Sequence, residues 1–328
     1  MSAITLIRNA PRPAWIREWT RRLQHGDVLF SLLTLLAALA VVLVMASIGI
    51  SLWNDSALPR ARFGLGFLTG TDWDPVSQVF GALPFLIGTI ETSLLALIVA
   101  VPVSLGIAIF LSELAPARLA QPLGFLVELL AAVPSVVYGL WGLFVFIPLL
   151  VKPAGQALNG SLGFLPIFSG PVFGPSRMAA SLILAIMILP TISAVSRDVF
   201  RAIPQAQREA ALALGSTRWE MISQVLVPYG LSGILGAVIL GLGRALGETI
   251  AVTMVIGNTL DLSPSLLHPG YTMASVIANE FAEATYDLYV QSLIEIGLVL
   301  FALTLALNVI ARFLVWRVSR RGSSEVRA

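Results

Sequence analysis

Cysteine is absent from the 328 residues, so disulfides and thiol chemistry are excluded, and the redox state of the compartment leaves no mark. Histidine is nearly absent: His25 and His268 are the only two, and they lie far apart in the chain. No Gly-x-Ser-x-Gly, His-Glu-x-x-His or credible Ser–His pairing occurs, which argues against an intramembrane enzyme. No Walker A pattern occurs either, so any use of ATP must act through another chain. Charge is the scarcest commodity. Only 12% of residues are charged against 57% hydrophobic. Soluble domains carry about 25% charged residues, and so small a complement cannot cover a water-facing surface. Alternation of strand type is lacking too, which rules out a membrane β-barrel.

What is present is a series of long apolar runs. We expect an all-α, polytopic membrane protein with six transmembrane helices: 28–53, 84–111, 122–150, 178–200, 229–257 and 288–316. The first run is too long for a signal-peptide core of about 7–15 residues and is read as retained. Residues 1–27 form a basic tail with Arg8, Arg12, Arg17, Arg21 and Arg22, and 317–328 a second one. Residues 54–83 read as a polar outer excursion, in which Phe67, Trp73 and Phe80 either rest at the headgroups or meet an external partner. Residues 151–177 and 258–287 read as further outer loops. With this assignment fifteen Lys and Arg fall on one side and four on the other. The asymmetry predicts cytoplasmic N- and C-termini, with the 201–228 loop also in the cytoplasm.

That loop is unlike its surroundings. Pro204 suits a first helical turn, Gln205–Leu214 are good helix formers, and Gly215 is a natural left-handed stop. Thr217 and Glu220 have the spacing of a capping box for a second helix running toward Pro228. Trp219, Ile222, Val225 and Leu226 form an apolar stripe on it, while Arg208, Glu209, Arg218 and Glu220 are expected to keep the loop in water. The whole makes an L-shaped hairpin, a docking knob.

The run from 241 to 249, Gly-Leu-Gly-Arg-Ala-Leu-Gly-Glu-Thr, puts Arg244 and Glu248 inside the fifth apolar run. Each charge costs about 2.5–3.5 kcal/mol at mid-bilayer. Four residues apart on one helix face, they are expected to pair. Two readings stay open: a self-neutralised pair that locks helix packing, or a cationic group lining an anion path with its charge held by a carboxylate that can let go. Pro134 reads as either a pore-lining break or a packing kink. Glu91, Glu128 and Glu295 also fall in predicted spans, as satisfied buried groups or as part of a path. His25 and His268 read as solvated.

Glu209-Ala210-Ala211, three residues, Gly215, nine residues, then Val225-x-Val227-Pro228 resembles the EAA loop of ABC-importer permeases, with Val in place of Ile and of Leu. The 241–253 run resembles the fifth-span motif of phosphate-importer permeases. The segments 67–75 and 80–89 resemble the PstC type, and the similarity extends from about 28 to 316. The resemblance implies a type I ABC-importer permease (MetI-like) fold, with 84–316 as the permease domain. It implies a homologous PstA-type permease subunit, a dimer of cytosolic ATPase subunits and a periplasmic phosphate-binding protein as partners, in a bacterial inner membrane. Nucleic acid is not among the partners. Glu209, Ala210, Ala211, Gly215, Thr217 and Trp219 are implied to couple to the ATPase, and Arg244 and Glu248 to line the translocation path. No cofactor is expected on this chain, ATP and Mg²⁺ residing on the ATPase. Another oxyanion such as sulfate or molybdate, or a secondary carrier or channel without an ATPase, is the alternative.

Overall fold

The computed structural model describes residues 27–325, with side chains from 28 to 317. Residues 1–26 of the expected basic tail 1–27, including His25, and the end of the chain beyond 325 lie outside the described residues. The chain divides into two units, 1–54 and 55–328. The first contributes helix α1 (Asp27–Asp55), which has no distinct polar face.

In the second unit, two short helices, α2 (Ala57–Phe63) and α3 (Gly66–Thr69), lead to a two-residue hairpin of β1 (Trp73–Asp74) and β2 (Val79–Phe80). This is the only sheet among the described residues, so the all-α expectation holds apart from it. Then follow α4 (Leu83–Leu114), α5 (Ala117–Ala132), α6 (Ser135–Leu162), α7 (Arg177–Ala202), α8 (Gln205–Ala213), α9 (Arg218–Leu246), α10 (Ile250–Ile256), α11 (Met273–Glu280) and α12 (Asp287–Glu325). Among the described residues six helices are long and apolar enough to cross a membrane: α1, α4, α6, α7, α9 and α12. Helix α7 is the most enclosed, packed against α4, α9, α5 and α10. Around it lies the main core, with Ala96, Ala100, Ile183, Met187, Ile188, Ala237 and Val252.

Three expectations are corrected. The third span was placed at 122–150, but the helix breaks at Val133, which is extended (φ −66°, ψ 128°). Pro134 forces this: its ring disfavours a helical conformation in the residue before it and it donates no hydrogen bond. The crossing helix is therefore α6, continuing through 151–162, where an outer loop was expected. The fifth span was placed at 229–257. It begins at Arg218, continuous with the loop before it, and stops at Leu246.

The third correction concerns 54–83. Phe67, Trp73 and Phe80 are neither at a headgroup surface nor on a docking face; all are 6% exposed or less. They are the core of a small lobe with Phe85, Tyr271 and Tyr289. The Trp73 ring meets Phe80 and Phe85 edge-on at 4.8 and 5.1 Å between centroids, and Phe80 stacks on Tyr289 at 5.6 Å. Glu280 closes the lobe, accepting from Trp73 Nε1 at 2.6 Å and from the Tyr289 hydroxyl at 2.9 Å.

Candidate functional site

Two places in the second unit combine unusual backbone with charged side chains. The first is the elbow between α7 and α9. Ile203 and Pro204 are extended, so α7 stops and α8 starts at an angle. Gly215 then takes φ +88°, a left-handed conformation that a side chain would disfavour, and donates to Leu212 O at 3.0 Å. The capping box forms as expected. Glu220 N–H donates to Thr217 Oγ1 at 3.3 Å, and Thr217 N–H donates to Glu220 Oε2 at 2.8 Å.

The apolar residues of the elbow divide between two sides. Met221, Ile222, Leu226 and Ala211 are buried with Phe200, Ile203 and Ala108. Trp219 is 70% exposed and Leu214 88% exposed; Leu212, Glu209, Ala210, Gly215 and Thr217 are also exposed. Ala211 therefore cannot meet a partner directly, and the expected stripe splits, Trp219 outward and Ile222 and Leu226 inward. Leu212 and Leu214 extend the exposed apolar face. Arg208 was expected in water and is instead pinned. Its guanidinium donates to both oxygens of Glu113 (Nε to Oε2 3.1 Å, Nη2 to Oε1 2.8 Å), to Ile203 O at 2.6 Å and to Phe200 O at 2.7 Å.

The second place is the interruption between α9 and α10. Arg244 occupies the last turn of α9 and Glu248 lies in the Gly247–Thr249 break, so the two no longer share a helix face. Among the described residues no ion pair joins Arg244 to Glu248, which corrects the expected pair. Glu248 Oε1 instead accepts the Ala251 N–H at 3.2 Å, occupying one of the donors left free where α10 begins. Arg244 has one long hydrogen bond, Nη1 to Thr191 Oγ1 at 3.4 Å. Gly241 permits this approach: a Cβ there would come within 2.7 Å of Ile192 on α7.

The break between α5 and α6 lies nearby. Gly139, one turn into α6, faces α10 so closely that a Cβ would come 2.5 Å from Met254 Sδ and 3.2 Å from Ala251 Cα. Tyr138 donates from its hydroxyl to Leu130 O at 2.8 Å across the break and lies within electrostatic range of Arg244. Two interrupted helices thus meet beside one half-buried arginine, with Thr191 following Pro190 on the third side. Irregular backbone at membrane depth persists only where protein or a water-filled cavity satisfies it, and anion and ion sites of transport proteins are commonly built at such breaks.

The other ionisable groups in the spans are mostly paired. Arg177 Nη1 donates to Glu91 at 2.9 Å and its Nη2 to Ser263 O and, at 2.8 Å, to Ser265 O. Arg197 Nη2 donates to Glu128 at 2.7 Å. Glu295 is buried with Oε2 unpartnered. His268, expected in solvent, is half-buried and its Nδ1 lies 2.8 Å from Asp261 Oδ2. No group of three or more metal-ligating side chains occurs among the described residues.

Residues 100–321 match the model of the family described as binding-protein-dependent transport system inner membrane component. A curated relative from Mesorhizobium japonicum, "Phosphate transport system permease protein PstC", is 45% identical over 305 residues, covering 92% of this chain and 93% of the relative. A relative of the same name from Pasteurella multocida is 47% identical, covering 92% and 96%. Among solved structures, a bacterial alginate ABC transporter in complex with an alginate pentasaccharide-bound periplasmic protein aligns with TM-score 0.61 at 16% identity, over 92% of this chain and 98% of that one. At that identity the likeness speaks for the fold alone.

Proposed function

The chain belongs to the family of binding-protein-dependent transport system inner membrane components; from that premise we propose that it is the permease subunit of an ATP-driven importer of inorganic phosphate. It is a multi-pass membrane protein and a transport subunit. In the reading proposed here it lies in a bacterial inner membrane, both termini in the cytoplasm, beside a homologous PstA-type permease subunit. A dimer of ATPase subunits holds ATP and Mg²⁺, and a periplasmic phosphate-binding protein delivers the ligand.

The observation that carries the reading is Arg244. Its guanidinium stands where two interrupted helices meet, bridged to no carboxylate among the described residues and engaged by one long hydrogen bond. Most of its donors remain free for the oxygens of a phosphate, which a planar guanidinium matches in pairs. Glu248 serves differently from a simple counter-ion. It holds the start of α10 in place and keeps a negative charge close by along the chain, which limits how tightly an anion is held and favours release.

At the other end of α9, the face made by Ala210, Leu212, Leu214 and Trp219 suits a groove in an ATPase, with Glu209 at its edge. Gly215 and Thr217 shape that face and Ala211 seats it on the permease. Closing of the ATPases on ATP would draw the elbows together and open the path outward. Phosphate would then pass Arg244 and leave into the cytoplasm.

The test replaces Arg244 by Gln in the assembled transporter. Radiolabelled phosphate uptake is expected to collapse while the ATPase still co-purifies. Failure to assemble would return Arg244 to a packing role. Uptake in which sulfate or molybdate outcompetes phosphate would replace the substrate.

A further inference from the structure

We propose that Arg208 is the joint that makes α8, the end of α7 and the end of α4 move as one body, so that a displacement of the elbow reaches the membrane helices instead of being absorbed by a pivot of α8. The inference rests on the coupling reading above and adds to it the residue that transmits the motion.

Helix α8 has nine residues and buries only one of them, Ala211, a single methyl group. Apolar packing therefore holds it weakly. The two chain links at its ends, Ile203–Pro204 and Leu214–Ser216, are non-helical and offer natural pivots. What fastens α8 is Arg208. Three of its nitrogens are spread over four acceptors on two other elements. Phe200 O and Ile203 O are carbonyls at the end of α7, where the helix dipole favours a cation; Phe200 O also accepts the Ile203 N–H at 3.2 Å, so Arg208 is its second donor. Glu113 belongs to the last turn of α4, and both partners are largely withdrawn from water, at 13% and 6% side-chain exposure. A bidentate guanidinium–carboxylate pair fixes orientation as well as distance, which a single ammonium contact does not.

The consequence lies at the other end of these helices. The α9 arm of the elbow is continuous with the helix that ends two residues past Arg244. The α8 arm, through Arg208, is tied to α7, which carries Thr191, the residue that Arg244 touches. Both sides of the Arg244 contact are thus driven from the elbow. Without Arg208 only α9 would be.

The test uses the complete transporter with its partner subunits, reconstituted in vesicles, and reads phosphate moved per ATP hydrolysed. Arg208→Gln and Glu113→Gln are each expected to lower that ratio about tenfold, with ATPase retention and turnover nearly unchanged. The double variant is expected to be no worse than either single one, because both remove one shared link. Arg208→Lys keeps the charge but not the fork, and is expected to stay uncoupled. An unchanged ratio, an additive double variant, full recovery by Lys, or uptake lost only in step with lost ATPase would each overturn the proposal. A Leu214→Cys variant in the same complex separates the two readings. If it fails to cross-link to the ATPase, the docking reading itself falls, whatever the Arg208 ratios are.

Discussion

The elbow and the mid-membrane break each contain one arginine at their centre, and the two are bound in opposite ways. Arg208 spends its donors on a carboxylate and two helix-end carbonyls, all within 3.1 Å. Arg244 has one hydroxyl at 3.4 Å. Saturation of a guanidinium makes a rigid joint, since each further bond removes orientational freedom. An unsaturated one in a low-dielectric place is costly to keep, and in the proposed reading a passing anion completes it. In that reading the saturated arginine transmits and the unsaturated one receives.

The comparison breaks first at Arg244. If its free donors bind the anion, Arg244→Gln lowers phosphate uptake by roughly two orders of magnitude, with little change in thermal stability of the purified complex. A large loss of stability would place Arg244 with the saturated group. Arg177 supplies the converse. It is buried, paired with Glu91 and bonded to the 263–265 backbone, so Arg177→Met leaves Glu91 facing an apolar site. A destabilisation of about 3 kcal/mol is expected, seen as a lowered melting midpoint in detergent. The transport rate per folded molecule should change little. Glu280→Gln is smaller. The amide still accepts from Trp73 or Tyr289, but without charge, and we expect a cost of about 1–2 kcal/mol. Its local signature is a rise in proteolysis near the 73–80 hairpin.

The elbow was legible because its geometry is local. A glycine at a left-handed position and a Thr-x-x-Glu box are decided within a few residues, and both formed at the expected places. The breaks were not. Apolar sequence continues on both sides of 133–134 and 247–249, because membrane solvent selects for apolar residues whether or not the backbone is helical. Proline alone does not discriminate either: Pro102, Pro122, Pro148 and Pro190 all sit inside helices, whereas Pro116, Pro134 and Pro204 each follow the end of one. What differs at Pro134 is that the freed ends find partners in three dimensions, such as Tyr138 on Leu130 O. The anchoring of Arg208 is hidden from sequence for the same reason, since its carboxylate partner is 95 residues away. Phe67, Trp73 and Phe80 read from sequence as headgroup or partner-contact residues because their true partners, Tyr271, Glu280 and Tyr289, come from the far end of the chain.

The finest division of the comparison is Thr191. At 3.4 Å its hydroxyl is too far to saturate Arg244 but close enough to bias the side chain toward α7. Thr191→Val keeps the shape of the residue and removes only that acceptor. If the hydroxyl positions the guanidinium for an incoming anion, the apparent KM for phosphate rises about threefold with the maximal rate little altered. A structural role alone would lower the amount of assembled transporter and leave KM where it was. Because α7 is the helix that Arg208 grips, the combination of Thr191→Val with Arg208→Gln joins the two regions. The shift in KM should persist in the uncoupled background if the contact belongs to binding. It should vanish there if the contact forms only when the elbow drives α7 against α9.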